Sequence, residues 1–257
     1  MSTTTATSDV TFGRVVRSEW IKFWSVRSTA VTLSAAVTGF VGIGLLACAA
    51  DVGTGVVSPA GMSMTGSIVS TLVLGVLGVL VMTGEYSTGL IRTTLCAVPR
   101  RLNMLAAKAV VFAAVSFVVM LIAAGVTFVA GQKIIGAGGM AFTDDGVLRT
   151  ILGTVAYQTG AGLLGLLLGT LFRSTPAALS TYFGMTFLLS TLPPFVLPED
   201  LQTNVGKFLF PQAGEAMGWA GTPWPGILSP GHGALVFAGY LVLVGGLAGW
   251  RLMRSDA

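Results

Sequence analysis

Six apolar stretches, none with a charged side chain inside it, constrain this chain more than any other feature. They cover residues 29–50, 64–83, 109–130, 150–172, 175–197 and 233–250. Each has about 18–23 residues, and at ~1.5 Å rise per residue that makes ~27–35 Å of helix, close to the ~30 Å hydrocarbon core of a bilayer. Backbone in lipid must satisfy its own hydrogen bonds, so such stretches read as helices. The expected fold is an all-α polytopic membrane protein with six transmembrane helices.

Composition agrees and removes several function classes. Of 257 residues, 53% are hydrophobic and 9% charged, where a soluble domain carries about 25% charged residues. The segments between spans are too short for a soluble catalytic domain. The chain reads as a tail at 1–10, Thr/Ser-rich and expected to be disordered, followed by one transmembrane domain at 11–257. The net charge of +4 carries its meaning in its distribution rather than as a sign of nucleic acid. With the amino terminus inside and the loops alternating, Arg14, Arg17, Lys22, Arg27, Arg92, Arg100, Arg101, Lys108, Arg173, Arg251 and Arg254 lie inside. Lys133, Arg149 and Lys207 lie outside. That split of eleven to three accounts for all 14 basic residues and places both termini in the cytoplasm. A plasma membrane, crossed several times, is the expected location.

Cys48 and Cys96 fall in a span and in an inner loop, so neither a disulfide nor a metal site is expected. Leu45-Leu46-Ala47-Cys48 has a faint likeness to a lipoprotein cleavage box. The long apolar run before it and the five spans after it make it a retained helix instead.

From Thr11 the pattern is helical. Phe12, Val15, Val16, Trp20 and Phe23 share a face opposite Arg14, Arg17 and Ser18. A basic amphipathic helix over 11–27, with Trp20 and Trp24 at headgroup depth and Lys22 nearby, suits the membrane interface. Glu19 breaks the pattern by projecting from the apolar face. It should therefore face protein and find a cation, an arginine of the loop after the second span (Arg92, Arg100 or Arg101); the other readings are a local pair with Lys22 on its own helix or a carboxylate snorkelled into water. Gly165 with Gly169, and Gly245 with Gly249, have the spacing of close helix packing. Arg173 to Pro176 marks a tight helical hairpin, with Pro176 in a first turn. The segment 198–231 reads as short, proline-broken helices on the outer side, and 131–147 as a flexible loop.

The cytoplasmic segment 84–108 is the patterned one: Gly84-Glu85-Tyr86-Ser87-Thr88-Gly89-Leu90-Ile91-Arg92 through Pro99-Arg100-Arg101. Ser87 or Thr88 is positioned to cap a short helix ending near Ala97. Pro99 opens the next helix, which Arg100, Arg101 and Lys108 anchor at the inner surface. A short helix held between two spans is a lever that a partner can grip.

This arrangement resembles the permease subunit of type-2 ATP-binding-cassette (ABC) transporters. Ser18-Glu19-Trp20-Ile21-Lys22 with Arg27-Ser28, and Gly84 to Gly89 with Pro99 to Arg101, look like its actinobacterial branch; Phe210-Pro211-Gln212-Ala213-Gly214 is also similar. The resemblance implies an exporter driven by a separate ATPase chain, which binds the ATP and magnesium, and two permeases, identical or sister chains, to a unit. It further implies that Glu85, Gly89, Leu90, Arg92, Pro99, Arg100 and Arg101 sit at or brace the ATPase contact. The chain has no phosphate-binding loop, since Gly206-Lys207-Phe208 lacks the required pattern, and no Ser/His/Asp set. It is not expected to be an enzyme, to hold a cofactor or metal, or to bind nucleic acid; His232 reads as interfacial. Its partners would be the ATPase, a second permease and the bilayer. An uncharged wall suits an amphipathic, lipid-like or drug-like cargo, with Ser116, Thr127, Tyr157 and Gln158 as candidate lining groups. Two other classes stay open. An ion-coupled secondary transporter is disfavoured by the lack of midmembrane charge, and a non-transporting immunity or scaffold protein would not need the patterned loop.

Overall fold

The structure, a computed structural model, describes residues 11–50, 58–90, 101–191, 193–196, 198–219 and 226–254. Helix α1 (Phe12–Ser25) is followed by α2 (Arg27–Ala50), a short α3 (Pro59–Ser63) and α4 (Ser67–Ser87). Then come α5 (Arg101–Ile135), α6 (Val147–Phe172) and α7 (Thr175–Phe183). Two short helices, α8 (Glu199–Val205) and α9 (Phe210–Ala216), precede α10 (Pro230–Arg254). Five of these, α2, α4, α5, α6 and α10, are long and apolar enough to cross a bilayer.

The fifth predicted span, 175–197, is the exception. It runs as α7, a π-helical turn at Gly184–Leu188, and Leu189–Thr191, with a further helical turn at Pro193–Val196. Its sequence explains the break. Gly184 sits at the junction, and Thr181, Thr186 and Ser190 each donate a hydroxyl hydrogen bond to the carbonyl four residues back, at 2.9, 2.9 and 2.7 Å. Bonds of this kind also occur in the unbroken α4 and α5, at Thr83 and Thr127, so they accompany the break rather than cause it, whereas Pro193-Pro194 cannot continue the helix.

Other boundaries shift for local reasons. Helix α5 extends the expected 109–130 at both ends, because no glycine with positive φ or proline stops it before Gly136 (φ 72°). Within 131–147 the Gln132 side-chain amide oxygen accepts from Met140 N at 2.7 Å, and an Asp144 carboxylate oxygen accepts from Ala141 N at 2.8 Å. The capping of a short helix expected of Ser87 or Thr88 rests on residues 91–100, which lie outside the described residues. Both hydroxyls donate back to the Gly84 carbonyl, at 3.0 and 2.8 Å, and close α4. Gly89 follows in the left-handed region (φ 73°), a usual way to leave a helix. The tail 1–10, Arg92, Cys96, Pro99, Arg100 and most of the expected short helix lie outside the described residues.

Helices α4 and α6 form the tightest pair. A methyl placed on Gly165 would strike the Gly75 carbonyl, and one on Gly78 would strike the Gly162 carbonyl. A methyl on Gly169 would lie 3.1 Å from the Val79 carbonyl. The absent side chains let the two backbones meet, the form that helix association takes where no hydrophobic drive separates helix from lipid. Gly75 also leaves room for Tyr182 of α7, whose hydroxyl donates to the Thr71 carbonyl at 2.8 Å. The expected hairpin forms between α6 and α7: Arg173 (φ 56°) ends α6, Pro176 lies in the first turn of α7, and the Thr175 hydroxyl reaches that of Thr83 at 2.9 Å.

Candidate functional site

At the Glu85 end of α4, four charged side chains from three helices meet. Lys108 of α5 donates to Glu19 of α1 at 2.6 Å and to Glu85 of α4 at 2.7 Å. Lys22, one turn along α1, donates to Glu19 at 2.8 Å and to Glu85 at 3.3 Å. Two carboxylates and two ammonium groups sum to zero charge. The side chains of Glu19 and Lys108 are 4% and 5% exposed, whereas Lys22 is 37% exposed and forms the open edge. Glu85 Oε1 accepts from both lysines, while its buried Oε2 has no hydrogen-bond partner among the described residues.

Each member is placed by its helix. The face of α1 carrying Val15, Glu19 and Phe23 is buried, and Phe23 meets Phe112 of α5 edge to face at 6.4 Å. Glu19 therefore faces protein, as expected, but its two oxygens are taken by Lys22 and Lys108. Of the loop arginines expected to hold it, Arg92 and Arg100 are outside the described residues, and Arg101 donates to the Leu252 carbonyl of α10 at 3.0 Å. Trp20 and Trp24 lie on the other side, 48% and 47% exposed, with Ile21 beside them. Lys108, expected as a headgroup anchor, is instead the centre of the cluster. The signal was its spacing: Met104, Leu105, Lys108, Val111, Phe112 and Val115 form one buried stripe at steps of three and four.

The pairing sets the protonation of the cluster. Burial presses the Glu19 carboxyl upward, but Lys108 and then Lys22 outweigh it and hold it below the usual 4.5. Burial acts to lower the Lys22 ammonium, but its bond to Glu19 and the charge of Glu85 hold it above the usual 10.5. Glu19 thus adds stability that is complete above pH 4.5 and lost as pH falls through its lowered folded value. Lys22 adds stability that is complete below pH 10.5 and lost as pH rises through its raised value. The expected melting temperature in nanodiscs is level between these limits and falls outside them. In Glu19→Gln the acid limb should flatten; an unchanged acid limb would show that Glu19 does not carry it.

Cations also gather at the end of α10. Besides Arg101 on the Leu252 carbonyl, Arg173 lies 3.4 Å from the Arg251 carbonyl and 5.5 Å over the Tyr86 ring. Positive groups at a helix C-terminus complement its dipole. The N-terminal helix, both sides of the segment 91–100, the α6–α7 hairpin and the carboxyl end of α10 therefore share one end of the bundle.

The remaining candidates scatter. Leu90 is 55% exposed and, with Gly89, begins the segment leaving α4. Tyr157 is 5% exposed, its ring packed on Phe210 and Phe237 at centroid distances of 6.4 and 5.6 Å. Thr127 donates to the Ala123 carbonyl of its own helix at 2.8 Å. Ser116 and Gln158 are fully buried, and their side-chain polar atoms have no partner among the described residues. A methyl on Gly162 would press on Phe112 at 2.7 Å. Ser116 and Gln158 each lie one turn beyond that antiparallel contact. Thr127 is eleven residues further along α5, about three turns away. Among the described residues no group of three His, Cys, Asp or Glu could hold a metal.

Compared with models of known protein families and with curated proteins, the chain matches none.

Proposed function

We propose that the chain is the membrane-spanning permease subunit of a type-2 ATP-binding-cassette exporter in a bacterial plasma membrane. In this reading it works beside a second permease and is driven by a separate ATPase that supplies the ATP and magnesium chemistry. The carrying observation is the four-charge cluster. It joins the helix that enters segment 88–100, the helix that leaves it and the N-terminal helix. A partner gripping that segment would move all three together. The open Oε2 of Glu85 is an acceptor on the same side, suited to a donor from the loop or from the ATPase. Six spans with cytoplasmic termini belong to the same proposal, with 175–197 as a broken fifth crossing. Two permeases then enclose the pathway for an amphipathic cargo.

An ion-coupled transporter fits less well, because the buried carboxylates sit at a helix end already paired with lysines, where a coupling ion would need a site nearer midmembrane. The test is ATP turnover by the chain co-purified with the ATPase encoded beside it, compared between wild type and Arg92→Glu. The expected loss of cargo-stimulated turnover is about tenfold, the cost of one docking contact worth ~1.4 kcal/mol. Equal stimulation in both would remove Arg92 from the contact.

A further inference from the structure

At the end of α4 opposite Glu85, a cleft of about 240 Å³ opens between α4, α6, the π-helical turn and α9. Ser67 at its mouth and Glu85 are 18 residues apart on α4, or ~27 Å along the axis. The cleft is therefore separate from the ion cluster. We propose that it is the binding site for the head of a cationic amphiphile, an ammonium group on an apolar body, with Glu215 as its counter-charge. The inference names the cargo class within the function proposed above and rests on that reading for the word cargo; the binding itself does not depend on it.

The cleft carries a single charge among hydroxyls and apolar side chains. Thr186 and Ser190 spend their hydroxyl protons on the Tyr182 and Thr186 carbonyls, at 2.9 and 2.7 Å, so they turn only lone pairs to the cleft. Thr71 lines it too; the residue is 2% exposed, and its hydroxyl has no partner among the described residues. Glu215, the only charged residue of the lining, forms no ion pair among the described residues. The hydroxyls of Ser67, Thr71, Tyr157 and Thr191 can each donate or accept, so the one fixed charge, Glu215, sets the preference: it attracts a cation and repels an anion. Ile68, Leu72 and Phe187 supply the apolar surface, with Phe187 49% exposed. The volume is below the ~300–1,000 Å³ of sites that enclose a drug-sized ligand, which fits a head bound here and a tail left in the bilayer. The π-turn contributes directly, since departures of this kind from the α-helix concentrate where a ligand binds. The Glu215 carboxyl is reachable at the cleft edge, and the protein crowding it raises its pKa above 4.5.

The test is binding of dansylcadaverine, a fluorescent apolar body with a primary ammonium, to the whole chain in phosphatidylcholine nanodiscs. Its N-acetyl derivative serves as the neutral match. The expected preference for the cation is about tenfold, the scale of one charge-assisted hydrogen bond. Glu215→Gln should abolish that preference and leave the neutral probe unchanged, Glu215→Asp should keep most of it, and Thr71→Val should weaken the cation alone. Equal affinity of the two probes for wild type, or an unchanged preference in Glu215→Gln with the Glu215→Asp protein equally folded, would overturn the proposal. No nucleotide or ATPase enters this assay, so the two readings fail separately: cation preference here, together with no ATPase co-purifying with the chain, would refute the transporter reading and leave the site standing. An ATPase-coupled chain blind to the ammonium would do the reverse.

Discussion

Lys108→Met is expected to destabilise the fold by about 3–5 kcal/mol, the cost of leaving a buried carboxylate without its partner. Among the described residues, Lys108 is the one donor that reaches both acids from within the core, at 2.6 and 2.7 Å. Without it Lys22 alone faces Glu19 and Glu85, from the exposed edge, and the cluster carries a net negative charge in a low-dielectric setting. Thermal unfolding in nanodiscs should register a fall on the order of 10 °C. The double variant Lys108→Met with Glu19→Gln restores neutrality and should recover most of the loss. Simple addition of the two single effects would mean that the four charges do not act as a unit. Lys133→Met is the control, since Lys133 is exposed at the far end of α5; its effect should stay within about 0.5 kcal/mol.

The second large effect belongs to the α4–α6 contact. Gly165→Val should cost about 3 kcal/mol or more, at or beyond the upper end for overpacking, because the new methyls meet the Gly75 carbonyl. Backbone cannot turn aside as a side chain can, so relief requires the two helices to separate. Separation would also disturb Tyr182, whose seat over Gly75 depends on the same approach. Gly245→Ala is the matched comparison, for its nearest neighbours are the Leu167 methyls, the closer at 3.6 Å, which is ordinary contact. That variant should be near neutral. Loss of monodisperse folded protein in the first and not in the second would confirm that only one of the two glycine pairs is a close packing site. Equal behaviour would contradict the geometry.

These two cases also mark what the sequence could disclose. The length and apolarity of five helices were legible because a bilayer leaves few alternatives. The burial of Glu19 was legible because a carboxylate on an apolar face must turn inward. One of its partners, Lys22, was among the readings; the other was not, because the basic loop arginines drew attention from Lys108, whose place on the buried stripe of α5 is visible only once Met104, Val111 and Val115 are read with it. Identical spacing made Gly165–Gly169 and Gly245–Gly249 look alike, since packing depth is a property of the opposing helix. The break in 175–191 starts at Gly184, a residue whose lack of a side chain hydropathy does not register. The cleft holding Glu215 joins residues up to 148 positions apart (Ser67 and Glu215), a proximity no local pattern encodes.

The most direct measurement is stoichiometry and turnover in a complex drawn from native membranes by a tag on this chain. It is made once with the natural segment 88–93 and once with that segment replaced by a Gly/Ser linker of equal length. With the natural segment, a Walker-motif ATPase should co-elute in equal amount and hydrolyse ATP. With the linker it should be lost, while the melting temperature of the helical bundle is unchanged. An ATPase retained equally without the segment, or cargo moved across sealed vesicles by this chain with no nucleotide-hydrolysing companion, would contradict the account.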